Sequence, residues 1–321
     1  MTTAVPACKR LLIVGASGLI GLRITKAIVE NKQSFDNIAI FTSPNTVQTK
    51  VEFIKWLKDE GVEIIQGDAT NKEDISRAYK DVDTVISAVG RNAIETQIEW
   101  IRLADLNPAV HRFFPSEYGT DIEYGPKSVD EKPHQKKLKV REAIRACQNL
   151  DYTFLVTGPY ADGDAGLYFG PSTVAKPAGH FDVKNKEATL LGDGSLKVSF
   201  TTMRDVGKLL VLALLHPEES RNRALKVNSF TTTDLEILHE FEKQTGGDPW
   251  KVSYTNVAEL SRLESEAWEK GVPYATIFTL KRIWAEGGTL YEKRDNGLIE
   301  GETVVETLQD AVAESIKVQT A

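Results

Sequence analysis

Leu11-Leu12-Ile13-Val14-Gly15-Ala16-Ser17-Gly18-Leu19-Ile20-Gly21 is the stretch that decides the fold. An apolar run of strand length enters glycines at positions 15, 18 and 21, and an amphipathic stretch follows to residue 30. Strand, glycine-rich turn and helix in that order form the context in which such a motif binds a dinucleotide. Gly15 permits the tight turn, Gly18 lets backbone N–H groups approach a pyrophosphate, and Gly21 lets helix and strand pack closely. The helix N-terminus then turns its partial positive charge toward the phosphates. The spacing is G-x-x-G-x-x-G and not G-x-G-x-x-G, so the usual rule for NAD does not transfer directly.

Working outward, apolar runs at 11–14, 37–41, 62–65, 84–87, 111–114 and 152–156 alternate with helical patterns at 19–30, 47–60, 72–79, 94–105 and 131–147. That alternation predicts an α/β fold: a Rossmann-like, doubly wound parallel sheet with right-handed crossovers. Ligands of such sheets gather beyond the C-terminal strand ends. The residues there are Gly15 to Gly21, Thr42-Ser43, Gly67-Asp68, Ala88-Val89-Gly90, Pro115 to Tyr118 and Gly158-Pro159-Tyr160. All are small, polar or turn-forming. Tyr118 and Tyr160 either flank the nicotinamide of a bound dinucleotide or pack at a domain junction.

After Tyr160 the alternation weakens, which divides the chain into a nucleotide-binding domain at 1–158 and a smaller α+β lobe at 159–321, with 197–228 returning to the first domain. Residues 162–179, rich in Gly, Pro and aromatics, suggest a loop over a substrate pocket lined by Tyr168 and Phe169. Trp250, Trp268, Trp284 and Phe278 further on either line the same apolar pocket or, as is usual for tryptophans on amphipathic helices, lie in the core. Residues 188–191 and 198–200 flank Gly192-Asp193-Gly194 as a hairpin would. Asp205 is placed to cap a helix to His216, and Thr- and Asp-rich residues open a helix over 231–245. Two more helices are expected at 257–270 and 275–285.

Composition excludes several classes. The 321 residues are 41% hydrophobic and 26% charged, as in a globular protein, and the net charge of −7 argues against a phosphate-backbone binder. No apolar stretch approaches the ~18 residues of a membrane span, and residues 1–10 lack a signal peptide's apolar core. Cys8 and Cys147 stand alone, without disulfide or zinc spacing, which suits a reducing cytoplasm. The histidines at 111, 134, 180, 216 and 239 include no pair at metal spacing, so no metal is expected.

A more specific signal lies at Arg112-Phe113-Phe114-Pro115-Ser116-Glu117-Tyr118-Gly119. This segment resembles the R-F-[FL]-P-S-E-[FY]-G segment of the isoflavone reductase-like and NmrA-like proteins, atypical short-chain dehydrogenase/reductases. The glycine motif, Gly67-Asp68, Lys137-Leu138-Lys139-Val140-Arg141 and Leu191-Gly192-Asp193-Gly194 are similar to that family as well, over residues 10 to 230. Residues 279–284 and 287–297 resemble its fungal branch. The resemblance implies an NADPH-dependent reductase of a small aromatic or heterocyclic secondary metabolite. It also implies that Lys137, on the helix after the P-S-E segment, contacts the nicotinamide ribose and assists proton transfer. A desolvated lysine beside a cationic nicotinamide would have a lowered pKa, compatible with that role. Lys136 and Lys139 are expected on the surface.

The expected cofactor set is Gly15, Ser17, Gly18, Leu19, Ile20, Thr42, Ser43, Lys50, Asp68, Ala88, Val89, Gly90, Ser116, Tyr118, Lys137, Gly158, Pro159 and Tyr160. One departure concerns Phe41-Thr42-Ser43-Pro44-Asn45-Thr46, which has neither the arginine that usually holds a 2′-phosphate nor an acid for a ribose 2′-OH. Thr42, Ser43 and Lys50 would hydrogen-bond the phosphate, so NADPH is expected over NADH; alternatively these residues form a turn and helix cap. No Tyr-x-x-x-Lys pair occurs. His134, three residues before Lys137, is either a substrate-side acid or base or a surface residue at a helix start. Two other readings stand beside the reductase: a dinucleotide-sensing regulator without turnover, and the family scaffold redirected to non-redox acid–base chemistry. The expected partner is a small molecule, with no nucleic acid or membrane, and the chain is expected as a monomer or homodimer.

Overall fold

The computed structural model describes residues 5–291 and 293–321. Residues 1–4, part of the segment without a signal core, and Glu292, within the stretch quoted for the fungal branch, lie outside the described residues. The first six strands are β1 (Arg10–Val14), β2 (Asn37–Thr42), β3 (Glu63–Gln66), β4 (Thr84–Ser87), β5 (Arg112–Phe114) and β6 (Asp151–Val156). The lobe and its returns add β7 (His180–Asp182), β8 (Glu187–Leu191), β9 (Lys197–Phe200), β10 (Arg223–Lys226), β11 (Phe230–Thr233) and β12 (Lys251–Thr255). The main sheet has seven strands in the order β3-β2-β1-β4-β5-β6-β10, all parallel.

Strand β1 explains why these runs are continuously apolar. Its side chains alternate between faces, and both faces are covered. Leu11 and Ile13 pack into one core with Ile24, Ile28, Val206 and Leu210, whereas Leu12 and Val14 pack into another with Ile75, Trp100, Ile101 and Val140. The first core is closed by helices Leu19–Glu30 and Met203–Leu215, the second by helices Lys72–Ala78, Gln97–Asp105 and Gln135–Arg145.

The lobe departs from expectation in several places. Residues 188–191 and 198–200 do not pair. Gly194 N donates to Leu191 O at 2.9 Å, so the turn exists. Its strands then part: β8 lies between β7 and β12, while β9 pairs antiparallel with β11. The first residues of the expected 231–245 helix form β11, and the helix Asp234–Gln244 starts after a Thr233–Glu236 capping box. Thr202, not Asp205, caps Met203–Leu215. The Asp205 carboxylate is buried and accepts from Ser229 Oγ and Glu306 N at 2.6 Å each, tying two chain returns together. The helix expected at 47–60 is two, Pro44–Thr49 and Val51–Asp59, interrupted at Lys50. A final helix, Leu308–Thr320, packs its small stripe of Ala311, Val312 and Ser315 on the lobe. Among the described residues no helix is long and apolar enough to cross a membrane.

Candidate active site

A cavity of about 620 Å³ lies where the C-terminal ends of β1, β4, β5 and β6 face the lobe. Its floor is the glycine turn. Gly15 has φ +86°, and a Cβ there would sit 2.6 Å from Ala88 O; one on Gly21 would sit 2.0 Å from Gly15 O. Neither position has room for a side chain. Gly18 is different, because a Cβ would meet backbone only at 3.3 and 3.8 Å and would otherwise enter the cavity. No side chain caps helix Leu19–Glu30 and its first turn carries no acid, so its leading amides remain available to an anion.

Of the expected residues, Gly18, Leu19, Ile20, Ala88, Val89, Gly90, Ser116, Tyr118, His134, Lys137, Gly158, Pro159, Tyr160 and Tyr168 line this cavity. Gly15, Ser17, Thr42, Ser43, Lys50 and Asp68 lie outside its wall. Ser43 caps the short helix after β2, its Oγ accepting from Thr46 N at 3.2 Å. Lys50 reaches back to the glycine turn and donates to Ser17 O at 2.6 Å, which places a cation beside that turn where no arginine follows β2. Asp68 closes its own turn, accepting from Thr70 N and Oγ1 at 2.8 Å each, which lowers its pKa.

The wall after β5 is held by ion pairs of the buried Arg141, which lies 3.5 Å from Asp121 and 2.7 Å from Glu123 as well as against Glu117. Arg141 donates to both Glu117 carboxylate oxygens at 2.9 and 3.1 Å, and both side chains are almost fully buried. One helical turn earlier, Lys137 donates to the Glu117 main-chain carbonyl. The P-S-E and K-x-K-V-R segments therefore form one unit, with Lys137 and Arg141 on one helix face gripping Glu117 from both ends. Desolvation lowers the Lys137 pKa, assisted by Arg141 and Arg91 and opposed by Glu117. Lys136 and Lys139 are exposed and turn to Glu95, at 3.8 and 2.8 Å. Tyr118 takes φ +25°, rare for an aromatic residue, with its carbonyl accepting from Tyr160 Oη at 2.5 Å.

His134 is buried, not on the surface, because the segment Lys132–His134 tucks beneath the lobe before the helix begins. Its Nδ1 lies 2.9 Å from Ser128 O, and a carbonyl only accepts, which assigns the proton to Nδ1. Nε2 is then a buried acceptor with no protein partner among the described residues. Desolvation lowers its pKa, so the ring is held neutral.

Phe169 does not line the cavity. It is fully buried at the centre of the lobe, 5.4 Å from the Phe200 ring and 6.1 Å from Phe241. Trp268 and Trp284 line the cavity instead, while Trp250 stays in the lobe core. Both wall indoles are oriented by hydrogen bonds: Trp268 Nε1 to Thr279 Oγ1 at 2.8 Å, and Trp284 Nε1 to Thr120 Oγ1 at 2.7 Å. Sequence reading also passed over Arg91 and Lys281, which line the cavity from β4's side and from the lobe. A lone cation in an amphipathic pattern carries no signal of its own. Among the described residues no cluster of His, Cys, Asp or Glu forms a metal site.

The NmrA-like family model matches residues 7–275. The chain belongs to the NmrA-like family. Oxidoreductase aprR of Aspergillus flavus is 31% identical over 265 residues, covering 82% of each chain. Isoflavone reductase of Glycine max is 32% identical over 253 residues, covering 74% of this chain and 76% of its own. Like these relatives, this NmrA-like protein is an oxidoreductase. Its fold is shared with leucoanthocyanidin reductase of Vitis vinifera, solved with NADPH (TM-score 0.78, 21% identity, 96% of this chain and 99% of that one). It is shared equally with AtPrR2, solved with NADP+ and (+)-pinoresinol (TM-score 0.77, 21% identity, 98% and 99%).

Proposed function

We propose that this chain is an NADPH-dependent reductase of a small aromatic or heterocyclic metabolite, with Lys137 as its proton-handling residue. The observation that carries this reading is the convergence on one cavity of an uncapped glycine turn, an enclosed lysine of lowered pKa and an aromatic wall. The residues present fit the cofactor. The amides of Leu19, Ile20 and Gly21 would hold the pyrophosphate in the space that Gly18 leaves open. Thr42, Ser43 and Lys50 would hold the 2′-phosphate, and Val89, Gly90, Tyr118 and Tyr160 would border the nicotinamide end. NADPH supplies the hydride when bound.

The chain supplies the matching proton and the geometry. The Glu117 carbonyl fixes Lys137 Nζ at the cavity, leaving its other N–H bonds free for a ribose hydroxyl and for the substrate. Desolvation weakens its hold on the proton, so Nζ can pass one to a substrate oxygen or nitrogen more readily than an exposed lysine. Arg141 acts at one remove, positioning the Glu117 turn. Trp268, Trp284 and Tyr168 shed water from a flat substrate. Such an enzyme works as a monomer or homodimer in the cytoplasm, where its free Cys8 and Cys147 stay reduced.

Titration with NADPH and NADH, followed by a screen of aromatic ketones, enones and imines for NADPH oxidation, tests this. Tight NADPH binding with turnover of one class supports it. Binding without any turnover favours the regulator, product without NADPH consumption favours non-redox chemistry, and failure of both dinucleotides to bind removes the cofactor reading.

A further inference from the structure

The cavity is lined by five lysines and arginines against one carboxylate among the described residues, in a chain whose net charge is −7. Lys136 reaches Glu95 at 3.8 Å, whereas Arg91, Lys132, Lys137 and Lys281 have no carboxylate partner among the described residues. Glu117 is the one carboxylate on its wall among the described residues, and that group is consumed by Arg141. The phosphates and ribose of a dinucleotide would account for Arg91 and Lys137 on the sheet side. They do not account for Lys132 and Lys281, which lie against the lobe. Lys132 Nζ sits 4.6 Å from the ring centre of Trp268. Lys281 comes from the helix Ala275–Ala285, keeps only 6% of its surface exposed, and makes no hydrogen bond. Its Nζ lies on the Tyr168 ring face, 3.3 Å from the centre, and 6.0 Å from that of Trp284.

Asp234 acts on the Lys281 charge through space but makes no ion pair or hydrogen bond with it. Asp234 accepts from Tyr168 Oη at 3.1 Å and from Leu191 N at 2.9 Å. An unpaired buried ammonium is costly, and a methionine would fill the same space without that cost. We propose that Lys281 is the substrate's anchor and that the substrate is an aromatic carboxylate, its carboxylate held by Lys281 and its ring laid against Trp268 and Trp284. The inference rests on the reductase reading for the word substrate, and on the cavity alone for the ligand class. The four-carbon stem lets the amine swing from the Tyr168 ring into the cavity it borders. Desolvation lowers the amine's pKa to about 7, so an arriving anion restores a charge that burial weakens.

A matched pair of probes decides it: 2-naphthoate against 2-naphthamide, titrated by calorimetry into the full chain saturated with NADP+. Naphthoate is expected to bind about tenfold tighter, one charge-assisted hydrogen bond's worth of discrimination. In Lys281→Met that ratio falls to near one with NADP+ affinity unchanged, and Lys281→Arg retains part of it. Equal affinity of the two probes for the wild type overturns the proposal. So does a preference that survives in Lys281→Met, or binding of neither probe to protein that holds NADP+. If Lys281→Met fails to fold, the wild-type ratio still decides the ligand class. Failure of NADP+ itself to bind strikes the reductase reading instead, and the probe ratio is then measured on the chain alone.

Discussion

Two helices of equal length face the same cavity, Gln135–Arg145 from the sheet side with Lys136 and Lys137 and Ala275–Ala285 from the lobe with Lys281. Lys137 donates to Glu117, and the Arg141 ion pair braces the turn that carries this acceptor. Lys281 has no acceptor among the described residues and rests on an aromatic ring. The contrast separates two uses of a buried cation. A group that must meet the same chemistry every cycle is fixed by the protein. A group that must accept a partner from outside is left without one, and the fold carries the cost.

The comparison breaks first at the brace. Arg141→Ala strands Glu117 in a dry site and is expected to cost on the order of 3–5 kcal/mol in chemical denaturation. A loss under ~1 kcal/mol, the range of surface pairs, would show that the pair is solvated and braces nothing. Next comes the floor. Gly18→Val keeps an ordinary backbone, φ −77°, but fills the cradle, so NADPH affinity should fall by roughly 10²-fold or more while the melting curve barely moves. Normal affinity in that variant would reduce the glycines to a structural turn.

Lys137→Ala should lower turnover by on the order of 10²-fold with a smaller loss of NADPH affinity, whereas Lys139→Ala, paired with Glu95 outside the cavity, leaves both unchanged. Equal damage from the two variants would remove Lys137 from the chemistry. The smallest effect sharpens the other half of the contrast. Desolvation lowers the Lys281 pKa from 10.5 to about 7, with Asp234 opposing. Between those values the unfolded chain binds the extra proton, so this group's contribution to stability rises with pH from 7 to 10.5. Lys281→Met is therefore expected to melt a few degrees higher than wild type near pH 7, with the gap narrowing toward pH 10. A gap that stays constant over that range would mean the lysine is not unpaired in solution.

How much was legible follows from the range of each interaction. The six leading strands and the glycine turn are set by periods of two and 3.6 and by turn chemistry, all local. Strand partners in the lobe are not local. Gly192-Asp193-Gly194 specifies a turn, but β8 found β12 and β9 found β11 through packing that no turn residue encodes. The same holds for aromatics: Phe169 from the loop became core, while Trp268 and Trp284 from amphipathic helices became cavity wall. His134 looked like a helix-start surface residue until the lobe covered it.

Sequence by itself determined the parallel sheet, its doubly apolar strands and a phosphate-sized turn beyond β1, because backbone sterics and side-chain alternation act over a few residues. Tertiary structure alone decided which charges are paired. Arg141 and Lys281 look alike in the chain, each a basic residue in an amphipathic helix. One was packed against Glu117, 24 positions away, and the other against the ring of Tyr168. Burial and partnership arise only when distant segments exclude water together, and in this protein those two conditions set the lysine proposed for the chemistry, Lys137, apart from the lysine proposed for recognition, Lys281.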